Sequence, residues 1–158
     1  MRVVGVLLIL LAAALACLRM RTRARVRERQ LAEWVQLLTY LEGEIAYAAR
    51  PAGEVLAGFP GEALEECGFL PLARARGLAA AVDNCGGLLL APPQKQAAKE
   101  FAAALGTRFR EEEAEKCRRL RQSFAAELER EQRETPPRLR VHCRLCLCGA
   151  AVAVLLFL

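Results

Sequence analysis

Cys143-x-x-Cys146, with His142 beside it, has the spacing of half a tetrahedral zinc site. Completing such a site takes a second Cys-x-x-Cys or a pair of histidines, and the sequence offers neither. Haem attachment needs the histidine after the second cysteine, whereas His142 precedes the first. Cys17, Cys146 and Cys148 lie in or at the edge of apolar stretches, and Cys67, Cys85 and Cys117 stand apart from one another. These thiols read as small apolar fillers in a reducing compartment, and no metal or cofactor is expected.

Other chemistry-bearing patterns are equally thin. His142 is the sole histidine. The sequence has no G-x-S-x-G, no Walker A lysine and no glycine-rich phosphate loop. Gly86-Gly87 reads as a turn. Glu111-Glu112-Glu113 fits a helix start, where carboxylates favour the dipole. The chain is expected to be non-catalytic, and any ATP-driven work would need the nucleotide on another chain. An enzyme with an unrecognised carboxylate site is the most distant alternative.

Two groups of side chains go beyond packing. Glu42 falls in the same helical stripe as Leu38 and Ile45. A carboxylate in that position must find a partner or take up a proton. The simplest reading is a structural pair with an arginine of a facing helix. On the other side of the same helix, Tyr40, Glu44 and Tyr47 follow one another at spacings of four and three. This face, continued by Glu54, reads equally as a partner-docking surface or as ordinary solvated surface whose Tyr rings cover their neighbours.

The elements that would position these residues are helical almost throughout. Leu31, Trp34, Val35, Leu38, Leu41, Ile45 and Ala48 recur at steps of three and four. Pro51 disfavours helical geometry at Arg50 and ends that helix. A short helix is expected from Ala52 to about Ala57, and another from about Leu70 to Val82. Pro92-Pro93 opens a helix that closes at Gly106. The last helix of this region is expected from about Arg108 to Glu134, with Cys117, Leu120, Phe124 and Leu128 as its apolar stripe. Pro136-Pro137 should then break it. No alternating β pattern occurs, so the fold class is all-α, a helical bundle.

An apolar stretch without charge lies at each end of the chain, over residues 3–18 and 145–158. Arg19, Arg21, Arg23, Arg25, Arg27 and Arg29 follow the first, and Arg138, Arg140 and Arg144 precede the second. Basic residues beside a membrane span stay on the cytoplasmic side. The expected organisation is therefore a transmembrane helix over 3–18 and a basic juxtamembrane segment over 19–30. A cytoplasmic bundle over 31–135 and a second transmembrane helix over 141–158 complete it. At ~1.5 Å per residue the first stretch reaches ~24 Å, short of a ~30 Å hydrocarbon core. Snorkelling of Arg2, Arg19 and Arg144 makes up part of the difference. Ala14-Leu15-Ala16 also fits a signal-peptide cleavage pattern, but the arginine ladder would then have to be translocated.

The net charge of +5 comes from that ladder, which leaves the bundle close to neutral or acidic. A ladder beside a membrane implies contact with anionic lipid head groups. Nucleic-acid binding is not expected, since few aromatic residues are available to stack on bases.

The segment Leu38-x-x-Leu41-Glu42-x-Glu44-Ile45-x-Tyr47-x-x-x-Pro51-x-x-Glu54 resembles the stage III sporulation protein AB family of endospore-forming bacteria. Phe101-x-x-x-Leu105-Gly106 before a long charged helix and the C-terminal stretch with Gly149 add to the resemblance. It implies a bundle similar to the cytoplasmic domain of the type II secretion platform protein. It also implies a place in the mother-cell membrane around the forespore, within a secretion-like channel complex. The expected role is a non-catalytic membrane scaffold that couples a cytoplasmic sporulation ATPase to the other channel subunits. The alternative is a generic membrane-anchored adaptor with anionic-lipid contacts and no sporulation role.

Overall fold

The structure is a computed structural model that describes residues 2–45, 52–106 and 109–157. Tyr47 and Pro51 lie outside the described residues. Seven helices follow one another among the described residues, and no strand occurs there. They are α1 (Arg2–Gly43), α2 (Ala52–Gly58), α3 (Glu62–Glu66), α4 (Phe69–Arg76), α5 (Leu78–Asn84), α6 (Pro92–Ala104) and α7 (Arg110–Phe157).

Helix α1 runs for 42 residues because Leu, Ala, Arg and Glu dominate it and no proline interrupts it. A wider π-type turn at residues 44–45 follows. Helix α7 is longer still, at 48 residues, and passes through Pro136 and Pro137. This corrects the expected break. The two prolines cannot donate to the carbonyls of Gln132 and Arg133, which costs the helix two bonds. Side-chain links carry the helix across that gap. Thr135 Oγ1 donates to Glu131 Oε2 at 3.0 Å, and Glu134 accepts from Arg130 at 3.2 Å and from Arg138 at 2.6 Å.

A second correction concerns the helix expected over Leu70–Val82. It is divided at Gly77, whose φ of 86° and ψ of 162° lie outside the reach of residues with a Cβ. Gly77 is both the C-cap of α4 and the N-cap of α5. The preceding α3 has only five residues and escaped the sequence reading altogether. Helices α2 and α6 agree with expectation. The latter opens on Pro92-Pro93, and Gln94 Oε1 reaches back to accept from the Ala91 N–H at 2.8 Å.

The chain divides into two compact units, Arg27–Glu129 and the pair Met1–Val26 with Arg130–Leu158. In the first, a single core gathers Leu31, Trp34, Leu37, Leu38 and Leu41 of α1 with residues from every other helix. Trp34 sits at its centre with Phe69 and Phe124 at ring-centroid distances of 4.9 and 5.7 Å. Gln30 is buried beside them and clamps the α5–α6 connection. Its Nε2 donates to the Gly87 carbonyl at 3.0 Å, and its Oε1 accepts from the Leu89 N–H at 2.7 Å.

The other unit looks different. Leu8, Leu11, Leu15 and Leu18 of α1 are 56–60% exposed, and Leu145, Leu147 and Val152 of α7 are 56–65% exposed. Among the described residues, no helix is long and apolar enough to cross a membrane. The side chains of Val3, Val4, Leu7 and residues 153–158, within the two stretches read as spans, are not described.

Candidate functional site

Tyr40 stands at the surface near the end of α1, where it is 36% exposed. Its ring packs at 6.1 Å from that of Phe59, and its hydroxyl lies against Gly58. Tyr40 therefore covers a buried neighbour while presenting an edge to solvent. Glu44 is half-buried one turn further on, and Glu54 is exposed in the first turn of α2, where a carboxylate favours the helix dipole. Gly106 has a φ of 83° at the end of α6. Arg19, Arg21, Arg23, Arg25 and Arg29 are exposed along α1, and Arg27 is half-buried.

Phe59 joins Tyr40 to a second feature that sequence reasoning missed. An open groove of about 770 Å³ is lined by Glu33, Phe59, Pro60, Gly61, Glu62, Glu65, Glu66 and Arg74. Glu33 of α1 accepts from the backbone N–H groups of Ala63 and Leu64, both at 2.8 Å, and so caps α3 from another helix. Gly61 makes that approach possible, since a Cβ there would stand 3.1 Å from Glu33 Oε2 and 2.6 Å from the Phe59 ring. Arg74 donates to Glu65 at 2.9 Å and, through Nε, to the Leu56 carbonyl at 3.1 Å. With four carboxylates and one guanidinium, the groove is acidic.

Glu42 of α1 accepts from two arginines of α7, Arg118 Nε at 3.0 Å and Arg121 Nε at 2.9 Å. Its side chain is 17% exposed. The hydrogen bond from Arg118, followed by that from Arg121, holds the carboxyl below the usual glutamate range against the opposing effect of burial. Arg118 and Arg121 flank the buried Cys117–Leu120–Phe124 stripe, so helical spacing could have singled them out. Cys117 itself donates to the Leu38 carbonyl at 3.3 Å, and burial pushes its thiol up to about 12.

The cysteines are less scattered than their spacing implies. Cys67 and Cys85 meet in the bundle, with Cys85 Sγ 3.2 Å from the Cys67 carbonyl. In the other unit, Cys17 of α1 lies near Cys143 and Cys146 of α7. His142 turns its Nδ1 to the Arg138 carbonyl at 2.8 Å. Among the described residues, no group of histidines, cysteines and carboxylates is arranged to hold a metal ion.

These features define an all-α bundle with an aromatic and acidic face near the end of α1 and an exposed apolar surface on the unit formed by the two chain ends. Over residues 2–158 the sequence matches the family model described as stage III sporulation protein AB. The chain belongs to that family, which gives it a role in sporulation. The family is not a known enzyme family. No curated protein and no solved structure matches the chain.

Proposed function

We propose that this protein is a membrane-anchored scaffold of a secretion-like sporulation channel. Its bundle docks a cytoplasmic ATPase and other channel subunits, and both chain ends lie in the mother-cell membrane around the forespore. The observation that carries the anchoring is the exposure of Leu8, Leu11, Leu15, Leu18, Leu145, Leu147 and Val152, residue types that a water-soluble surface rarely gathers in this number. Lipid chains would cover them. The arginines from Arg19 to Arg29 would lie among anionic head groups on the cytoplasmic side.

The docking face is the surface from Tyr40 through Phe59 to the groove, with Glu44 and Glu54 beside it. An aromatic edge next to a cleft offers contact area at low entropic cost. The carboxylates favour a partner with basic side chains. Tyr47 belongs to the same sequence motif. In this scheme the bundle performs no chemistry, and it passes force or position from the ATPase to the membrane.

Co-purification from the membranes of sporulating cells tests this reading. The double variant Glu44→Lys with Glu54→Lys should lose the ATPase and channel subunits while the chain remains in the membrane. It leaves Tyr40 in place over Phe59, and the fluorescence of the buried Trp34 checks that the core survives the change at half-buried Glu44. Recovery of the same partners at unaltered levels would mean that they dock elsewhere.

A further inference from the structure

Two helix ends meet at a pair of thiols. Cys67 is the C-cap of α3 and Cys85 the C-cap of α5. Cys85 Sγ lies 3.2 Å from the Cys67 carbonyl and Cys67 Sγ lies 3.5 Å from that of Leu64, so the two thiols are close neighbours that each donate to a backbone carbonyl. The turn after Cys85 is pressed onto the same spot. A Cβ on Gly87 would stand 2.6 Å from the Cys67 carbonyl oxygen and 3.2 Å from Cys67 Cβ. For the two sulfurs to meet, each must turn away from the carbonyl it now donates to.

We propose that Cys67 and Cys85 are an oxidisable dithiol that closes into a disulfide with a small-molecule disulfide as oxidant, tying the end of α3 to the end of α5. Access sets the order of events. Cys67 is half-buried, while Cys85 is only 7% exposed. Cys67 loses its proton, and its sulfur attacks one sulfur of the small disulfide. The S–S bond of the oxidant breaks, and one small thiolate leaves and takes up a proton. Cys85 then loses its proton and attacks the Cys67 sulfur, expelling the second small thiolate, which is protonated in turn. The protein dithiol gives up two electrons, and the oxidant becomes two thiols.

The closed loop would contain α4 and α5, so the bond would restrict the freedom of that helix pair whenever the bundle opens locally. Burial pushes the Cys67 thiol up to about 11. Thiolate is therefore scarce at neutral pH, and its population rises about tenfold per pH unit below that value. The site is slow to close and steep in pH, which suits a lock set by sustained oxidation better than a rapid sensor.

The test uses the full chain in detergent micelles with oxidised glutathione, followed by acid quench, alkylation, digestion and mass spectrometry. The expected product is a Cys67–Cys85 linked peptide that dithiothreitol removes and that forms about tenfold faster at pH 8 than at pH 7. Cys85→Ser should stop at glutathione on Cys67, and Cys67→Ser should leave Cys85 unmodified. Persistent glutathione on Cys67 in the unaltered chain would overturn the proposal. So would modification of Cys85 before Cys67, or failure of both to react at pH 8 in excess oxidised glutathione.

Discussion

The same two helices carry leucines to opposite fates. In α1, Leu31, Leu37, Leu38 and Leu41 are at most 1% exposed, whereas Leu8, Leu11, Leu15 and Leu18 are 56–60% exposed. In α7, Leu120 and Phe124 are buried and Leu145 and Leu147 are open. Residue type and helix propensity hardly differ between the two stretches. What differs is the supply of covering helices, since α2 to α6 all belong to Arg27–Glu129. The bundle closes its own core, while the terminal unit, with segments of two helices only, leaves these leucines open. Burial there has to come from outside the chain, which is the physical content of the membrane proposal.

The contrast can be broken most forcefully inside the bundle. Phe124→Ala removes a ring packed against Trp34 and should cost about 3–5 kcal/mol of bundle stability. Trp34 is the sole tryptophan, and it is fully buried. Its fluorescence during denaturant titration of the detergent-solubilised chain reports on the bundle alone. A loss below about 1 kcal/mol would mean that the core repacks freely around the gap.

A smaller effect is expected at the Glu42 clamp, where Arg118 and Arg121 are partly open to solvent. Glu42→Gln should cost about 1–2 kcal/mol at pH 7, between the ranges for exposed and buried pairs. The carboxyl titrates below its ordinary value in the folded chain. Its contribution is therefore complete above pH ~4.5 and fades as the pH falls through the lowered folded value. The difference between the variant and the unaltered chain should shrink in acid. A difference independent of pH would mean that the two arginines stabilise by packing and not by charge.

The weakest effect on the bundle should come from the terminal leucines. Replacing Leu8, Leu11 and Leu15 together by Ser should shift bundle unfolding by less than about 0.5 kcal/mol. The same variant should partition far less into vesicles that contain anionic lipid. Unchanged partitioning would place the membrane affinity in the arginines or in the C-terminal stretch.

Much of the bundle was legible because its signals are local. The three-and-four spacing from Leu31 to Leu41 marked the buried face of α1, and Glu42 within that face called for a cationic partner. Pro92-Pro93 and Gly106 marked the bounds of α6. What escaped depends on distance along the chain or on competition between local rules. Helix α3 is too short to show a period. The proline pair in α7 was read from the missing N–H groups alone, while the Glu134–Arg138 and Glu131–Thr135 links that offset them depend on the helix already being formed. Cys67 and Cys85 looked unrelated because their meeting depends on Gly77 turning α4 into α5. Of the candidate docking face, Tyr40, Glu44 and Glu54 were read from spacing. The groove that Phe59 joins to Tyr40 was not, because Glu33 and Glu62 become neighbours only on folding.

Glu33 also bears on the order in which the protein can form. A helix as short as α3 cannot pay its own nucleation cost in water. The two backbone groups that would stay unsatisfied at its start are met by a side chain that the ribosome has already delivered about thirty residues earlier. The groove wall is thus a conditional structure. It exists where α1 is helical in the correct register, and it dissolves when that stretch of α1 lets go. Any partner that reads the groove is reading the state of α1 at second hand.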